Sequence, residues 1–144
     1  MPEMTERVRE VMTAVHNMHV LATVGADGKP HMRWMGALVE HPEQPWTFFL
    51  VCNKESRKMA QIAANNQAQL LFTNQDKWEI ASLSGTVEAA DCPECRKMMW
   101  DSVPAMSRYY SGPDDPKMAI ILFKTECLEL LAMSEGHQVY CLEL

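Results

Sequence analysis

The sequence predicts a mainly β protein of the α+β class, folded as a small antiparallel β-barrel with flanking helices. Short extended apolar segments separated by turn residues predict the strands, and amphipathic segments predict the helices. Their order is helix, three strands, helix, two strands, helices and two strands, which suits antiparallel neighbours with short connections. At 144 residues the chain is expected to form one domain spanning 1–144.

Periodicity and a turn signal predict the first helix and the first hairpin. Residues 5–17 carry an apolar stripe at helical spacing, namely Val8, Val11, Met12 and Val15. Residues 18–25 alternate as a strand does, and Asp27-Gly28 is a strong signal for a tight hairpin turn before a strand that begins near Pro30. The first two strands are therefore expected to pair antiparallel.

Apolar runs and boundary residues predict the next elements. Residues 31–39 read as a strand that is apolar on both faces, and residues 46–52 as a third strand after a proline-containing loop. The third strand runs into a helix that starts at Ser56, and Asn65-Asn66 is a helix stop signal.

The second half of the chain returns to strands around a helical region. Strands are expected at 68–73 and 78–89, a mostly helical region at 92–110, and strands at 118–132 and 138–144. Small residues in the second of these strands predict a bend or a close backbone approach: Ser82, Ser84 and Gly85.

Charge and cysteine usage exclude several functional classes. A net charge of −6 argues against a nucleic-acid or anionic-membrane surface, because both need clustered Lys and Arg. No apolar run reaches the roughly 18 to 20 residues that cross a bilayer, so a cytoplasmic protein without membrane contact is expected. Five cysteines without an export signal predict reduced thiols rather than a disulfide framework.

The start of the second helix predicts an anion site. Ser56, Arg57 and Lys58 stand where the positive end of the helix dipole repels cations and stabilises a bound anion. The alternative interpretation is a solvated helix start in which Glu55 partly neutralises its neighbours.

Arg33 supports the anion interpretation. It lies on the same strand face as Met35, and an unpaired buried charge costs several kcal/mol. No carboxylate lies within residues 31–39 or 46–52. An anion shared by Arg33 with the helix start would account for both features.

Other chemical motifs are weaker. Cys92-Pro93-Glu94-Cys95 has the spacing of a redox or metal pair, but a structural zinc needs four ligands and no second pair is close in sequence. The default is a helix start that bears two thiols, and no metal site is predicted. The five histidines are scattered, so no catalytic residue is assigned.

Several segments taken together resemble a known family. They are Arg33-Trp34-Met35, Phe48-Phe49-Leu50-Val51-Cys52-Asn53, Ser56-Arg57-Lys58, Gln61-Ile62 and Leu70-Leu71-Phe72. Over roughly residues 5–130 this combination is similar to the FMN-binding split-barrel family of pyridoxamine 5′-phosphate oxidases and their relatives, and within it to the short general-stress-protein class. The resemblance implies an antiparallel split β-barrel and FMN as the cofactor.

The resemblance also implies which residues hold FMN. The phosphate-binding positions would be Arg33, Ser56, Arg57 and Lys58. The positions that line the isoalloxazine ring would be Trp34, Met35, Gly36, Val51 and Cys52. The family usually has Thr at the position of Cys52, so one hydrogen bond to the cofactor is expected to be lost.

A homodimer with cofactor sites at the subunit interface is implied as well. Trp78 and Glu79 are the candidates for the partner subunit's contribution, by position alone. The alternative for Trp78 is an interface anchor that does not touch the cofactor.

The C-terminal sequence departs from the oxidases themselves. They carry an Arg-x-His type substrate motif in a C-terminal extension, which residues 135–144 do not contain. Authentic pyridoxamine 5′-phosphate oxidation is therefore not expected. The expected function is a flavin-dependent oxidoreductase acting on a small electron donor or acceptor. The alternatives are a non-catalytic flavin-binding stress-response module and a related barrel that binds deazaflavin or haem.

Overall fold

The computed structural model describes residues 2–14 and 19–144. Over these residues the chain forms one antiparallel sheet with α-helices and short 3₁₀ helices. The α-helices are α1 (Pro2–Ala14), α2 (Arg57–Ala64) and α3 (Pro93–Ser102), and the 3₁₀ helices cover Pro104–Arg108 and Met133–Glu135. The strands are β1 (His19–Val24), β2 (Pro30–Met35), β3 (Val39–Glu40), β4 (Thr47–Asn53), β5 (Gln67–Asn74), β6 (Glu79–Ala89), β7 (Met118–Ala132) and β8 (Gln138–Glu143).

The sheet confirms the predicted fold class, and it does not close into a barrel. Its strand order is β2-β1-β5-β6-β7-β4-β3, with β8 also paired to β7. The long strand β7 holds the sheet together, because it pairs with β4 through its first half, with β8 through its second half and with β6 along most of its length. Among the described residues β2 and β3 stand at the two ends of this path, which gives a split barrel.

The predicted hairpin and the first helix are confirmed. The β1–β2 turn places Gly28 at φ 76°, a left-handed conformation that glycine adopts without a Cβ penalty. Helix α1 packs against β5, β6 and β7, and Val8 and Val11 of its apolar stripe are fully buried. The stripe residue Val15 lies outside the described residues.

The close backbone approach predicted around Gly85 is present in β6. The β6–β7 register shifts between Ser84 and Gly85, which marks a bulge. A Cβ added to Gly85 would lie 1.9 Å from the Lys124 carbonyl oxygen, so only glycine fits there.

The prediction of one continuous strand over 31–39 is wrong. β2 ends at Met35 and β3 begins at Val39, because β2 pairs with β1 at one end of the sheet while β3 pairs with β4 at the other. The chain must leave one edge to reach the opposite one. A second consequence is that Met32 and Trp34 point outward and are 73% and 68% exposed.

None of the described helices is both long enough and apolar enough to span a membrane.

Candidate functional site

The turn between β4 and α2 builds the first part of the site. Lys54 N–H donates to the Lys117 carbonyl at 2.7 Å, and Ser56 N–H donates to the Asn53 carbonyl at 3.0 Å. Ser56 occupies the predicted N-cap position in an extended conformation, and its carbonyl accepts from Met59 N–H at 3.2 Å. Its hydroxyl makes no capping hydrogen bond. The side chain is therefore held at the helix start but is not used by the helix.

The Ser56 hydroxyl is buried and has no hydrogen-bond partner among the described residues. The nearby Cys52 thiol donates instead to the Met59 sulfur at 3.5 Å. A buried hydroxyl without a partner is unfavourable, because its hydration is lost without compensation. A ligand that offers an acceptor oxygen at the start of α2 would satisfy it.

Arg33 is held in place by neutral acceptors. Its guanidinium donates to Gln61 Oε1 at 2.6 Å, to Thr23 Oγ1 at 2.7 Å and to the Leu21 carbonyl at 3.2 Å. The Thr23 hydroxyl donates in turn to Gln61 Oε1 at 2.7 Å. Burial lowers the pKa of Arg33. The sequence indicated that a buried Arg33 needs a partner. Its partners are neutral oxygen atoms, which orient the guanidinium without cancelling its charge.

The remaining cations of the helix start are also unneutralised. Among the residues that the structure describes, no carboxylate lies within ion-pair distance of Arg33, Arg57 or Lys58. Glu55, the candidate for local neutralisation, forms no such pair. Arg57 is exposed and Lys58 is half-buried. We call Arg33, Ser56, Arg57 and Lys58 the basic cradle.

Cys52 of β4 lies within electrostatic reach of the basic cradle. Burial raises the pKa of its thiol, while the charge of Lys58, the nearby Ser56 hydroxyl and the charge of Arg33 each act to lower it. The polar groups of β2 and of the start of α2 thus lie near enough to Cys52 to act on the charge of its thiol.

A cavity of about 510 Å³ opens next to β4, which leads into the basic cradle. Val51 and Asn53 of β4 and the β2–β3 connection line one side. The other side is formed by the segment after α3, with Lys117 at the rim. The lining residues are Gly36, Ala37, Val51, Asn53, Val103, Ala105, Met106, Tyr109, Tyr110 and Lys117. A mostly apolar hollow of this size with a few polar groups is typical of a small-molecule site.

The other residues predicted to line the cofactor ring lie at the end of β2 and directly after it. Met35 is buried in the core, whereas Trp34 points to the outer face and Gly36 lies at the rim of the cavity. Only the backbone of this segment and the side chain of Val51 therefore face the cavity directly.

The structure does not bring Trp78 and Glu79 to the basic cradle within one chain. They lie at the β5–β6 turn, beside a separate hollow that Arg7 also lines. Trp78 is 61% exposed with φ 51°, while the Glu79 carboxylate is buried and accepts from Arg7 at 2.9 Å. Their contribution to a cofactor site requires a second subunit.

Thr23 and Gln61 are site residues to which sequence reasoning gave no role. Thr23 lies on the buried face of β1. Gln61 lies one turn after Arg57 in α2, a helix that contacts β1. The signal that could have found Gln61 is its i, i+4 spacing from Arg57, which places both on one helix face.

The cysteine pair differs from the prediction. Cys92 is the N-cap of α3, so the predicted helix start is present, but Cys92 and Cys95 are joined as a disulfide rather than being two thiols. The pair is local, with two residues between its cysteines. Cys52, Cys127 and Cys141 are free. No group of metal-binding side chains occurs among the residues that the structure describes.

The comparisons with known proteins fit this geometry. A family model described as pyridoxamine 5′-phosphate oxidase matches residues 4–132. The chain belongs to the pyridoxamine 5′-phosphate oxidase family. Membership in this family, expected from the resemblance, is confirmed. A curated member, general stress protein 26 of Bacillus subtilis strain 168, is 25% identical over 123 residues, which cover 83% of each chain.

Several solved structures share the fold of this chain. A Clostridium acetobutylicum protein related to general stress protein 26 has a TM-score of 0.81 at 22% identity, covering 96% of this chain and 92% of its own. An FMN-binding protein from Nostoc punctiforme has a TM-score of 0.69 at 15% identity, with coverage of 96% and 91%. A heme-binding protein from Mycobacterium smegmatis has a TM-score of 0.73 at 14% identity, covering 94% of this chain and 56% of its own.

Proposed function

We propose that this protein binds FMN and acts as a flavin-dependent oxidoreductase on a small electron donor or acceptor. The observation that carries the proposal is the buried Ser56 hydroxyl without a partner, placed beside Arg33 and Lys58, which no carboxylate neutralises. A phosphate supplies acceptor oxygens and negative charge to all three groups. Family membership and the FMN-binding Nostoc relative support the choice of cofactor.

The basic cradle would hold the FMN phosphate. Arg33 needs little rearrangement, because Thr23 and Gln61 already fix its guanidinium. Ser56 would donate its hydroxyl to a phosphate oxygen, and the start of α2 adds its dipole. Lys58 and Arg57 add charge from the same turn. The cradle therefore binds and orients without needing a glycine-rich loop.

The segment 34–36 and the pair Val51 and Cys52 would line the isoalloxazine ring. FMN supplies the redox chemistry when bound, and the protein supplies its position and its electrostatic surroundings. Cys52 offers a weaker hydrogen-bonding group than the Thr that is usual in the family. The cavity beside Val51 would admit the electron donor or acceptor, with Tyr110 and Lys117 as its polar contacts.

A homodimer would complete the site. The outer sheet face leaves large apolar side chains exposed in a single chain, namely Met32, Trp34, Leu71 and Val139, and Trp78 is exposed at the β5–β6 turn. Several large exposed apolar side chains on one sheet are typical of an interaction surface. A second copy on this face would cover it and would bring Trp78 and Glu79 toward the partner's cofactor. The ion pair between Glu79 and Arg7 would be kept in this arrangement.

Purification and titration test FMN binding. The purified protein is expected to be yellow with a flavin spectrum, or to take up added FMN with quenching of flavin fluorescence. A colourless protein that takes up no FMN contradicts the proposal. Reduction of the bound flavin by NADH or NADPH, followed by rapid reoxidation with a defined acceptor, supports an enzyme. Bound FMN without turnover would favour a non-catalytic flavin-binding stress-response module.

Light scattering coupled to size-exclusion chromatography tests the homodimer. Trp34→Glu is expected to shift the protein to monomer and to weaken FMN binding, because it places a charge in the apolar interface. Thr13→Glu adds the same charge at an exposed position of α1 and is expected to leave the dimer intact. A dimer that persists in Trp34→Glu contradicts this arrangement.

Haem is the second candidate ligand for the cavity, and the Mycobacterium smegmatis heme-binding fold favours it. Haem iron needs an axial ligand, for which Met106, Tyr109 and Tyr110 are the available lining residues. The basic cradle would then receive a propionate instead of a phosphate. A titration with added haem that gives a Soret band, while added FMN gives no response, would favour this alternative. Uptake of an added deazaflavin can be measured by titration as well.

A further inference from the structure

The start of α3 carries a disulfide between Cys92 and Cys95. Cys92 is the N-cap residue, Pro93 is the first helical residue and Cys95 lies within the first turn. Cys92 Sγ accepts a hydrogen bond from Cys95 N–H at 3.1 Å. One sulfur of the disulfide thus takes the place of the oxygen that usually caps a helix.

The two sulfur atoms are not equivalent. Cys95 packs against the apolar cluster that includes Met99, Met106 and Met118, whereas Cys92 does not take part in that cluster. Both residues are half-buried, and because the Cys95 side chain is the one packed against this cluster, an external thiolate is expected to attack Cys92. Attack on Cys92 leaves Cys95 as the departing sulfur.

The surroundings favour negative charge on Cys92 Sγ once the disulfide opens. The Cys95 N–H and the positive end of the α3 dipole both point to it. Asp91 is next in sequence, but its carboxylate is paired with Arg96 at 3.0 Å. Glu94 is exposed to solvent, where its charge is screened.

The first turn of α3 does not depend on the disulfide for its position. Arg96 donates to the carbonyls of Pro113 at 2.6 Å and Met118 at 2.8 Å, and also to that of Asp115. These bonds tie the turn to the segment before β7. A disulfide with two residues between its cysteines also constrains the unfolded chain little. The protein can therefore stay folded in both redox states.

We propose that Cys92 and Cys95 form a redox-active thiol–disulfide exchange site for low-molecular-weight thiols such as glutathione. A thiolate attacks Cys92 Sγ, the bond between the two cysteine sulfurs breaks, and Cys95 leaves as a thiolate that takes up a proton. A second thiolate then attacks the external sulfur of the mixed disulfide and releases Cys92. Two thiols are oxidised to one external disulfide, and the protein disulfide is reduced to two thiols.

Trapping with glutathione disulfide tests the assignment on the full chain, without FMN. In Cys95→Ser the glutathione adduct is expected on Cys92, and in the matched variant Cys92→Ser position 95 is expected to stay unmodified. Peptide mass mapping separates these sites from Cys141, which is free and exposed. An adduct on Cys95 in Cys92→Ser with none on Cys92 in Cys95→Ser overturns the proposal.

Glutathione redox buffers test reversibility in the unmodified protein. The Cys92–Cys95 pair is expected to pass between oxidised and reduced forms as the glutathione ratio changes, with an unchanged far-ultraviolet circular dichroism spectrum. A pair that stays oxidised until the protein is unfolded is a structural disulfide, and a pair that never oxidises is two ordinary thiols. Either result overturns the proposal. Neither measurement depends on flavin binding.

Discussion

Arg33 and Gln61 are joined by a hydrogen bond of 2.6 Å from Nη2 to Oε1, which ties β2 to α2. The acceptor is neutral, so the bond orients the guanidinium and leaves its charge available. The Thr23 hydroxyl donates to the same Oε1 and also accepts from Arg33, which closes a three-residue network. A charge that is positioned but not cancelled is what an anion site requires.

Gln61→Glu tests the importance of the uncancelled charge. A carboxylate at this position would form an ion pair with Arg33 and place negative charge beside the proposed phosphate. FMN affinity is expected to fall by about tenfold or more, the equivalent of about 1.4 kcal/mol, while the unliganded protein keeps or gains stability. Fluorescence titration and thermal unfolding measure the two effects. Equal FMN affinity in Gln61→Glu and the parent protein would count against the phosphate assignment.

Removal of single cations from the basic cradle tests the site more directly. Arg33→Ala and Lys58→Ala are each expected to weaken FMN binding by about 1.5 to 3 kcal/mol, the range for charge-assisted hydrogen bonds. Lys97→Ala removes the same charge from an exposed position on α3 and is the matched control. The control separates local contacts from the overall change in protein charge. Unchanged affinity in both cradle variants would refute the site.

Ser56→Ala is expected to weaken FMN binding without lowering the stability of the unliganded protein. Without ligand, the hydroxyl is buried and unpaired and does not cap α2, so its removal is expected to leave stability unchanged or to raise it by up to about 1 kcal/mol. With FMN, the loss of one hydrogen bond is expected to weaken binding by about 0.5 to 1.5 kcal/mol. Denaturant unfolding and FMN titration of the same preparations measure both. A clear loss of unliganded stability would mean that Ser56 serves the helix and not a ligand.

The sequence could predict those features that depend on local pattern. The stripe with Val8 and Val11 predicted α1, Asp27-Gly28 predicted the first hairpin, and the small residues around Gly85 predicted the close approach of β6 to β7. That Arg33 needs a partner from elsewhere in the chain was also predictable, because an inward arginine without a nearby carboxylate cannot stay unpaired at low cost.

Features that depend on pairing between distant segments could not be predicted in this way. The break after Met35 arises because β2 and β3 pair at opposite ends of the sheet, which no local pattern in 31–39 reports. The contacts of Thr23 and Gln61 with Arg33 likewise join three separate elements. The Cys92–Cys95 bond depends on the redox state of the two sulfurs, which their spacing alone leaves open.

His19 gives the protein a predicted dependence on pH. Its ring is buried and stacks on Phe72 at 5.2 Å, Nε2 has no partner among the described residues, and burial lowers its pKa to about 4. The unfolded chain takes up a proton near pH 6.5 and the folded chain does not, so the contribution of His19 to stability is present above pH 6.5 and is lost as the pH falls toward 4.

Denaturant unfolding at pH 7 and pH 5 measures this effect. Between these values the parent protein is expected to lose about 2 kcal/mol more than His19→Leu, which cannot titrate at this position. The comparison uses the pH-dependent difference, so a constant change in packing caused by leucine cancels. Parallel losses in the two proteins would show that the His19 pKa is not lowered by folding.

The bulge in β6 gives a prediction about the scaffold that holds the site. In Gly85→Ala the new Cβ would lie 1.9 Å from the Lys124 carbonyl oxygen and 2.9 Å from its carbon, so β6 and β7 must separate locally. Because these atoms belong to the backbone of the longest strand pairing, the variant is expected to lose about 2 to 4 kcal/mol of unfolding free energy.

Gly112→Ala is the matched control, since a Cβ there meets no atom within 4 Å. It is expected to change stability by less than about 1 kcal/mol in either direction. A fully stable Gly85→Ala protein would contradict the close approach of the two strands.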